Sequence, residues 1–246
     1  PDLADFFLDE YCLHAGDASA PSLRHVCIAY RAVVRAKVDC IRVGQGHAEA
    51  KADADRHLAI ALAHLKSASV QLIIVGGGPG TGKTTVAKEL AEHFAAQVIS
   101  TDEVRRELVH AGVVHGRVGD LNAGLYAPEN VSMVYDEVLR RAHSWLGAGH
   151  TVILDGTWRD VDQRRRVHTL AANTNSSIVE FCCTVPLSEA AHRVASRGPT
   201  ASDATPSIAT ELGDPATEWP TAHVLDTSRP PAETAAEAQR VCVAAV

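Results

Sequence analysis

Residues 76–84 read Gly-Gly-Gly-Pro-Gly-Thr-Gly-Lys-Thr, and no other stretch narrows the possible folds so far. An apolar run, Gln71–Val75, enters it and a helical pattern, Thr84 to Phe94, leaves it. Strand, glycine loop and helix in direct succession satisfy GxxxxGK[ST] from Gly77 to Thr84. Each part has a physical reason. In the loop Gly78, Pro79, Gly80, Thr81 and Gly82, the glycines tolerate positive φ and so let backbone N–H groups turn inward around a phosphate. The helix N-terminus adds partial positive charge. Lys83 reaches the β- and γ-phosphates, the Thr84 hydroxyl ligates Mg²⁺, and Thr85 follows in the first turn. A dinucleotide fingerprint is excluded, since the GxGxxG register opening at Gly76 meets Thr81 where a third glycine is needed. The expected ligand is ATP with Mg²⁺.

The texture around this loop predicts the fold class. After Val70, short apolar runs alternate with helical patterns: Gln71–Val75, Gln97–Ser100, Thr151–Asp155, Ser177–Val185 and Ala222–Asp226. Such alternation, entered through the phosphate loop, predicts an α/β sandwich of the P-loop NTPase class, with a five-stranded parallel sheet and helices on both faces. Before Ser67 the reading is helix only: residues 2–13, about 22–43 and about 47–66. In the second of these, Val26, Tyr30, Val33, Val34, Val38 and Ile41 recur at helical spacing, opposite Arg24, Arg31, Arg35 and Arg42. The expected organisation is a small helical segment, residues 1–67, and an α/β phosphate-loop domain, residues 70–246.

Composition removes several function classes. The formal net charge is −7, and residues 1–67 carry eight basic and nine acidic side chains, leaving −6 for the rest. That balance, without basic or aromatic strand-tracking runs, speaks against nucleic acid as a partner and against a polynucleotide 5′-kinase. No apolar stretch approaches the ~18 residues of a membrane span, and no secretory signal opens the chain. The six cysteines form no CxxC pair and no metal spacing with histidine, so reduced thiols in a cytoplasmic core are expected.

Three further stations belong with the phosphate loop. Asp155 ends the run Val152-Ile153-Leu154, where a carboxylate can hold the Mg²⁺ hydration shell; its alternative is an ordinary turn residue. Asp102, in QVISTDEVRREL, follows the second strand on the same sheet edge, where it can take the proton of an attacking hydroxyl. The rival reading makes Ser100, Thr101 or Asp102 a plain helix cap before Glu103. Arg105, one turn on, suits an anionic or polyol acceptor. Arg193 and Arg197 lie four apart after the fourth strand, either as a phosphate-closing lid or as a solvated helix face. No lysine follows Lys88, so any further cation at the phosphates is Arg or Mg²⁺.

With the phosphate loop, STDEVRREL, APENVSMVYDEVLRRAHSWLGAGHTVILDGTW, the two arginines and SDAT together, residues 70–246 resemble the small-molecule kinase branch of P-loop proteins. Gluconate kinases, zeta toxins and polynucleotide kinases belong to it. More narrowly they look like the C-terminal module of two-domain proteins whose first domain resembles an aminoglycoside phosphotransferase. PDLADFFLDEYCLHAG and YRAVVRAKVDCIR look like the last helices of that first domain, which implies a fragment whose upstream phosphotransferase-like domain is the partner. The resemblance implies Asp102 as catalytic base, Asp155 as metal-side acid, and Arg193 and Arg197 as lid arginines. Its functional expectation is transfer of the ATP γ-phosphate to a hydroxyl of a small polar substrate. A nucleotide-sensing module with slow ATPase activity is the alternative.

Overall fold

The computed structural model describes residues 3–16, 20–116, 123–196 and 219–246. The chain divides into two compact units, Pro1–Ser69 with Ala148–His150, and Val70–Gly147 with Thr151–Val246.

The first unit contains α1 (Leu3–Ala15), α2 (Pro21–Gly44) and α3 (Ala50–Ala68). Here α2 and α3 pack along each other and bury small residues, Ala29, Ala32 and Ala36 on one and Ala50, Ala54 and Ala61 on the other. Alanine lets two helix backbones approach closely at little entropic cost. Asp39 is buried among them and is matched by His57 Nδ1 at 2.8 Å and by Arg42 at 3.4 Å. The apolar stripe of α2 is not what this packing covers. Val26, Tyr30, Val33, Val38 and Ile41 are exposed, as are Phe6, Phe7 and Tyr11 on α1 and Leu58, Leu62 and Leu65 on α3.

The second unit is built on a five-stranded sheet: β1 (Gln71–Gly77), β2 (Gln97–Ser100), β3 (Val152–Asp155), β4 (Ser177–Thr184) and β5 (His223–Asp226). The order is β2-β3-β1-β4-β5 and every pairing is parallel. The helices are α4 (Lys83–Phe94), α5 (Thr101–His110), α6 (Pro128–Gly147), α7 (Val161–Thr174), α8 (Leu187–Ser196) and α9 (Pro231–Ala244). Side chains alternate across β1, and the two faces bury different partners. Leu72 and Ile74 pack with Val104 of α5, Val134 and Val138 of α6, and Val167 and Leu170 of α7. Ile73 and Val75 pack with Val86, Ala87 and Leu90 of α4 and with Ala238 and Cys242 of α9. This is the expected α/β sandwich with a covered parallel sheet. No described helix is long and apolar enough to cross a membrane.

Register places the functional ends. Val75 and Ser100 both pair with Asp155, one on each side of it. The loops leaving β1, β2 and β3 therefore emerge side by side at the carboxyl edge, where ligands bind in open α/β sheets.

Candidate active site

The phosphate loop runs from the end of β1 to Lys83, the first residue of α4. Gly80 and Gly82 both stand at φ 79°, which a side chain would strain. Space enforces the first glycine as well, because a Cβ on Gly80 would come within 2.4 Å of the Ala190 carbonyl oxygen of α8. Thr81 Oγ1 donates to the Gly78 carbonyl at 2.9 Å and pins the loop from inside. Lys83 is almost fully buried, and among the described residues its Nζ hydrogen-bonds the Gly78 carbonyl at a long 3.5 Å. An ammonium so held is strongly matched by an anion in the loop.

Thr84 and Asp155 are joined directly: the threonine hydroxyl donates to Asp155 Oδ2 at 2.8 Å. Asp155 is 2% exposed, and its Oδ1 has no hydrogen-bond partner. Burial raises the Asp155 pKa above the usual carboxylate value; the Lys83 charge and the Thr84 bond oppose that rise, and the charges of Asp102 and Glu103 add to it. A buried carboxylate with an orphaned oxygen beside a phosphate-loop hydroxyl fits a divalent cation or its hydration shell. Thr84 and Asp155 are therefore the residues able to hold Mg²⁺.

Asp102 lies in the first turn of α5, which starts at Thr101, two residues earlier than the sequence pattern indicates. Ser100 is the N-cap, with extended backbone, and no side chain caps this helix. Asp102 is instead bonded to Arg105, whose Nη1 donates to Oδ1 at 2.7 Å. The Arg105 guanidinium is buried and lies 4.6 Å from the Tyr126 ring centroid, while its Nε has no partner. The glycine-rich connection of residues 110–126 thus delivers a residue to the Asp102 side, although 117–122 fall outside the described residues.

Arg193, on α8, donates to the Thr227 carbonyl at 2.9 Å and pairs with Glu189. Arg197 and the SDAT stretch lie outside the described residues. A cavity of about 350 Å³ opens beside the phosphate loop. It is bounded by Gly80, Lys83 and Thr85 on one side and by Arg193, Thr227 and Arg229 on the other. Asp102, Arg105 and Asp155 are not among its walls.

Sequence reasoning missed several residues here. Thr227 at the end of β5 donates to the Thr81 carbonyl at 2.7 Å and to that of Thr184 at 3.0 Å, tying the loop to two strands. In the sequence Thr227 stands in a turn, Asp226–Ser228, after the fifth apolar run, with no hint of the partner. Trp158, three residues past Asp155, is fully buried and left-handed at φ 51°. A non-glycine residue there costs on the order of 1–3 kcal/mol and persists only where its surroundings overdetermine it. Nothing in the local sequence announces it.

A family model described as an AAA domain matches residues 72–211, more than half of the chain. An uncharacterised protein of Mycobacterium tuberculosis (strain ATCC 25618 / H37Rv) is 49% identical over 245 residues, and one of Mycobacterium bovis is equally similar. These matches cover 100% of this chain and 49% of each relative, so the chain spans about half their length. Among solved structures, a sugar kinase from Janibacter sp. HTCC2649 has a TM-score of 0.51 at 16% identity, covering 72% of this chain and 98% of that one. An APS kinase of Mycobacterium tuberculosis, in complex with AMPPNP and APS, has a TM-score of 0.50 at 16% identity over 70% of this chain and 97% of its own. At such identity the likeness speaks for the fold. A family match of that extent makes the chain a member of the AAA domain family.

Proposed function

We propose that the chain is an ATP- and Mg²⁺-dependent phosphotransferase that moves the γ-phosphoryl group to a hydroxyl of a small polar substrate. The observation that carries this reading is Asp102. Its carboxylate follows β2, whose last residue Ser100 pairs with Asp155, and the helix it opens does not use it as a cap. A module that only senses nucleotide needs no such group. Backbone N–H groups of Gly80 to Lys83 and the Lys83 ammonium hold the β- and γ-phosphates. Bound Mg²⁺, held through Thr84 and Asp155, would neutralise charge across those phosphates. Arg105 orients the Asp102 carboxylate. That carboxylate accepts the acceptor proton as the hydroxyl oxygen bonds to phosphorus and the bond to the β-phosphate oxygen breaks. Arg193, with Arg197, balances the charge that gathers on the leaving phosphate.

Residues 1–67 are, in this reading, the closing helices of a phosphotransferase-like domain, the partner of the kinase module. Support comes from the large apolar side chains exposed on α1–α3 and from relatives about twice as long as this chain. The sugar kinase and APS kinase among the structural neighbours support a small hydroxylated acceptor only through the shared fold.

The test is product identity. With ATP, Mg²⁺ and pooled sugars, polyols, nucleosides and hydroxylated amines, phosphorus NMR should show a phosphomonoester growing in step with ADP. Inorganic phosphate as the sole product across that panel would favour the sensing module with slow ATPase activity.

A further inference from the structure

We propose that Arg164 is a positioning residue for the metal side of the site, acting through the turn Gly156-Thr157-Trp158; the role rests on the phosphotransferase reading of Asp155. The turn is wired to the root of the phosphate loop. Gly156 N donates to the Val75 carbonyl at 3.3 Å, and Gly77 N donates to the Thr157 carbonyl at 3.4 Å. Whatever sets the height of this turn sets Asp155 and the loop together.

Trp158 is the strained member of the turn, and contacts to both its ring and its peptide hold it. Its indole Nε1 donates to the Leu154 carbonyl at 3.2 Å, and its ring meets Tyr135 edge-on at 4.8 Å. Its own carbonyl accepts from Arg164 Nη1 at 2.7 Å. The same Nη1 donates to the Arg159 carbonyl at 2.7 Å, so one buried guanidinium closes the turn across two successive residues. The first two contacts fix the indole; the Arg164 bond, together with a hydrogen bond between the Tyr135 hydroxyl and the Trp158 backbone, fixes the peptide that has to stay left-handed.

Arg164 has a second connection. Its guanidinium carbon lies 5.0 Å from the ring centroid of Trp219, itself 2% exposed. The Trp219 ring covers Gly76 so closely that a Cβ there would come within 2.3 Å of it. Gly76 sits directly before the phosphate loop. Arg164 thus spans from the turn after Asp155 to the indole that floors the loop, without itself belonging to the site. Its loss lets Trp158 relax toward ordinary backbone and carries the Thr157 carbonyl away from Gly77. The Asp155 carboxylate then loses its alignment with Thr84.

The experiment compares nucleotide affinity with and without Mg²⁺ in wild type, Arg164→Met and Asp155→Asn, with near-ultraviolet circular dichroism of the nucleotide-free proteins. Arg164→Met should remove most of the Mg²⁺-dependent gain in ATP affinity, about tenfold or more given the charge-assisted bonds lost. Mg²⁺-free affinity, set by the loop backbone and Lys83, should hold within about twofold. The tryptophan signal of the nucleotide-free protein should change as well. Arg164→Lys keeps one donor and should recover part of the Mg²⁺ gain; it also serves if Arg164→Met fails to fold. A wild-type Mg²⁺ gain in folded Arg164→Met, or equal loss of both affinities in the Met and Lys variants, overturns the proposal. If Asp155→Asn also keeps the gain, the metal-side reading itself has failed, which is a separate result.

Discussion

Lys83 and Asp155 are buried, sparsely hydrogen-bonded charges at the head of the sheet, and the lysine only partly offsets the aspartate. The lysine is buried against one long carbonyl contact, and one oxygen of the aspartate has no partner. Such groups cost folding free energy unless a ligand matches them, which is how binding sites are built at the expense of stability. Lys83→Ala should therefore leave the fold intact while weakening ATP–Mg²⁺ binding by about two orders of magnitude, the worth of a desolvated charge pair with phosphate. Calorimetry on the folded variant checks this, and wild-type affinity would remove Lys83 from the site. Most of these residues were legible in the sequence because the phosphate loop is a contiguous device whose chemistry lies in nine neighbouring residues. Thr227 was not. Its hydroxyl serves the Thr81 carbonyl, 146 positions away, and only the folded sheet creates that pairing. Trp158 escaped for the same reason, since its left-handed backbone is imposed by Tyr135 and Arg164 rather than by local preference.

At the level of elements, buried parallel strands announce themselves as apolar runs, and β2 occupies the expected Gln97–Ser100. Helix starts were less legible: α5 begins at Thr101 because Ser100 is still extended, so Asp102 belongs to the first turn rather than the cap. The α2 stripe stays exposed and is not the surface that packs on α3. Alanines, not valines, face α3, because close backbone approach outweighs side-chain size in that pair. Between α5 and α6 the link is ionic. Arg141 joins Glu107 at 2.6 Å and Glu137 at 2.7 Å, and Glu137 also takes two bonds from Arg140. The hydrogen bond from Arg140, with that from Arg141, lowers the Glu137 pKa from 4.5 to about 2. A lowered folded-state value gives stability that is complete above about pH 4.5 and drains away as pH falls toward 2. Glu137→Gln should flatten that acid limb of the stability curve and cost about 1 kcal/mol or less at neutral pH, since the network is partly solvated. Denaturant midpoints measured across pH test it; an unchanged acid limb would mean the bonds are not held in solution.

For the whole molecule, the two units differ in how much apolar surface they leave open. Most of the large apolar residues exposed among the described ones sit on α1–α3. Patches of that kind mark surfaces meant for a partner. Residues 70–246 alone should therefore keep ATP affinity while binding several-fold less of a dye that reports apolar surface, and failure of that piece to fold would show that the first helices belong to its core. Function, in contrast, depends on strand order. Only the sequence β2-β3-β1 brings residues 102, 155 and 83, far apart along the chain, to one edge of one sheet. The most direct test of the account is Asp102→Asn, measured for both phosphoryl transfer and ATP affinity. Asn keeps the shape and an acceptor for Arg105 but cannot take the proton of the attacking hydroxyl. Transfer to an accepted hydroxyl should fall by about two to four orders of magnitude with ATP affinity unchanged; transfer at the wild-type rate would contradict the account.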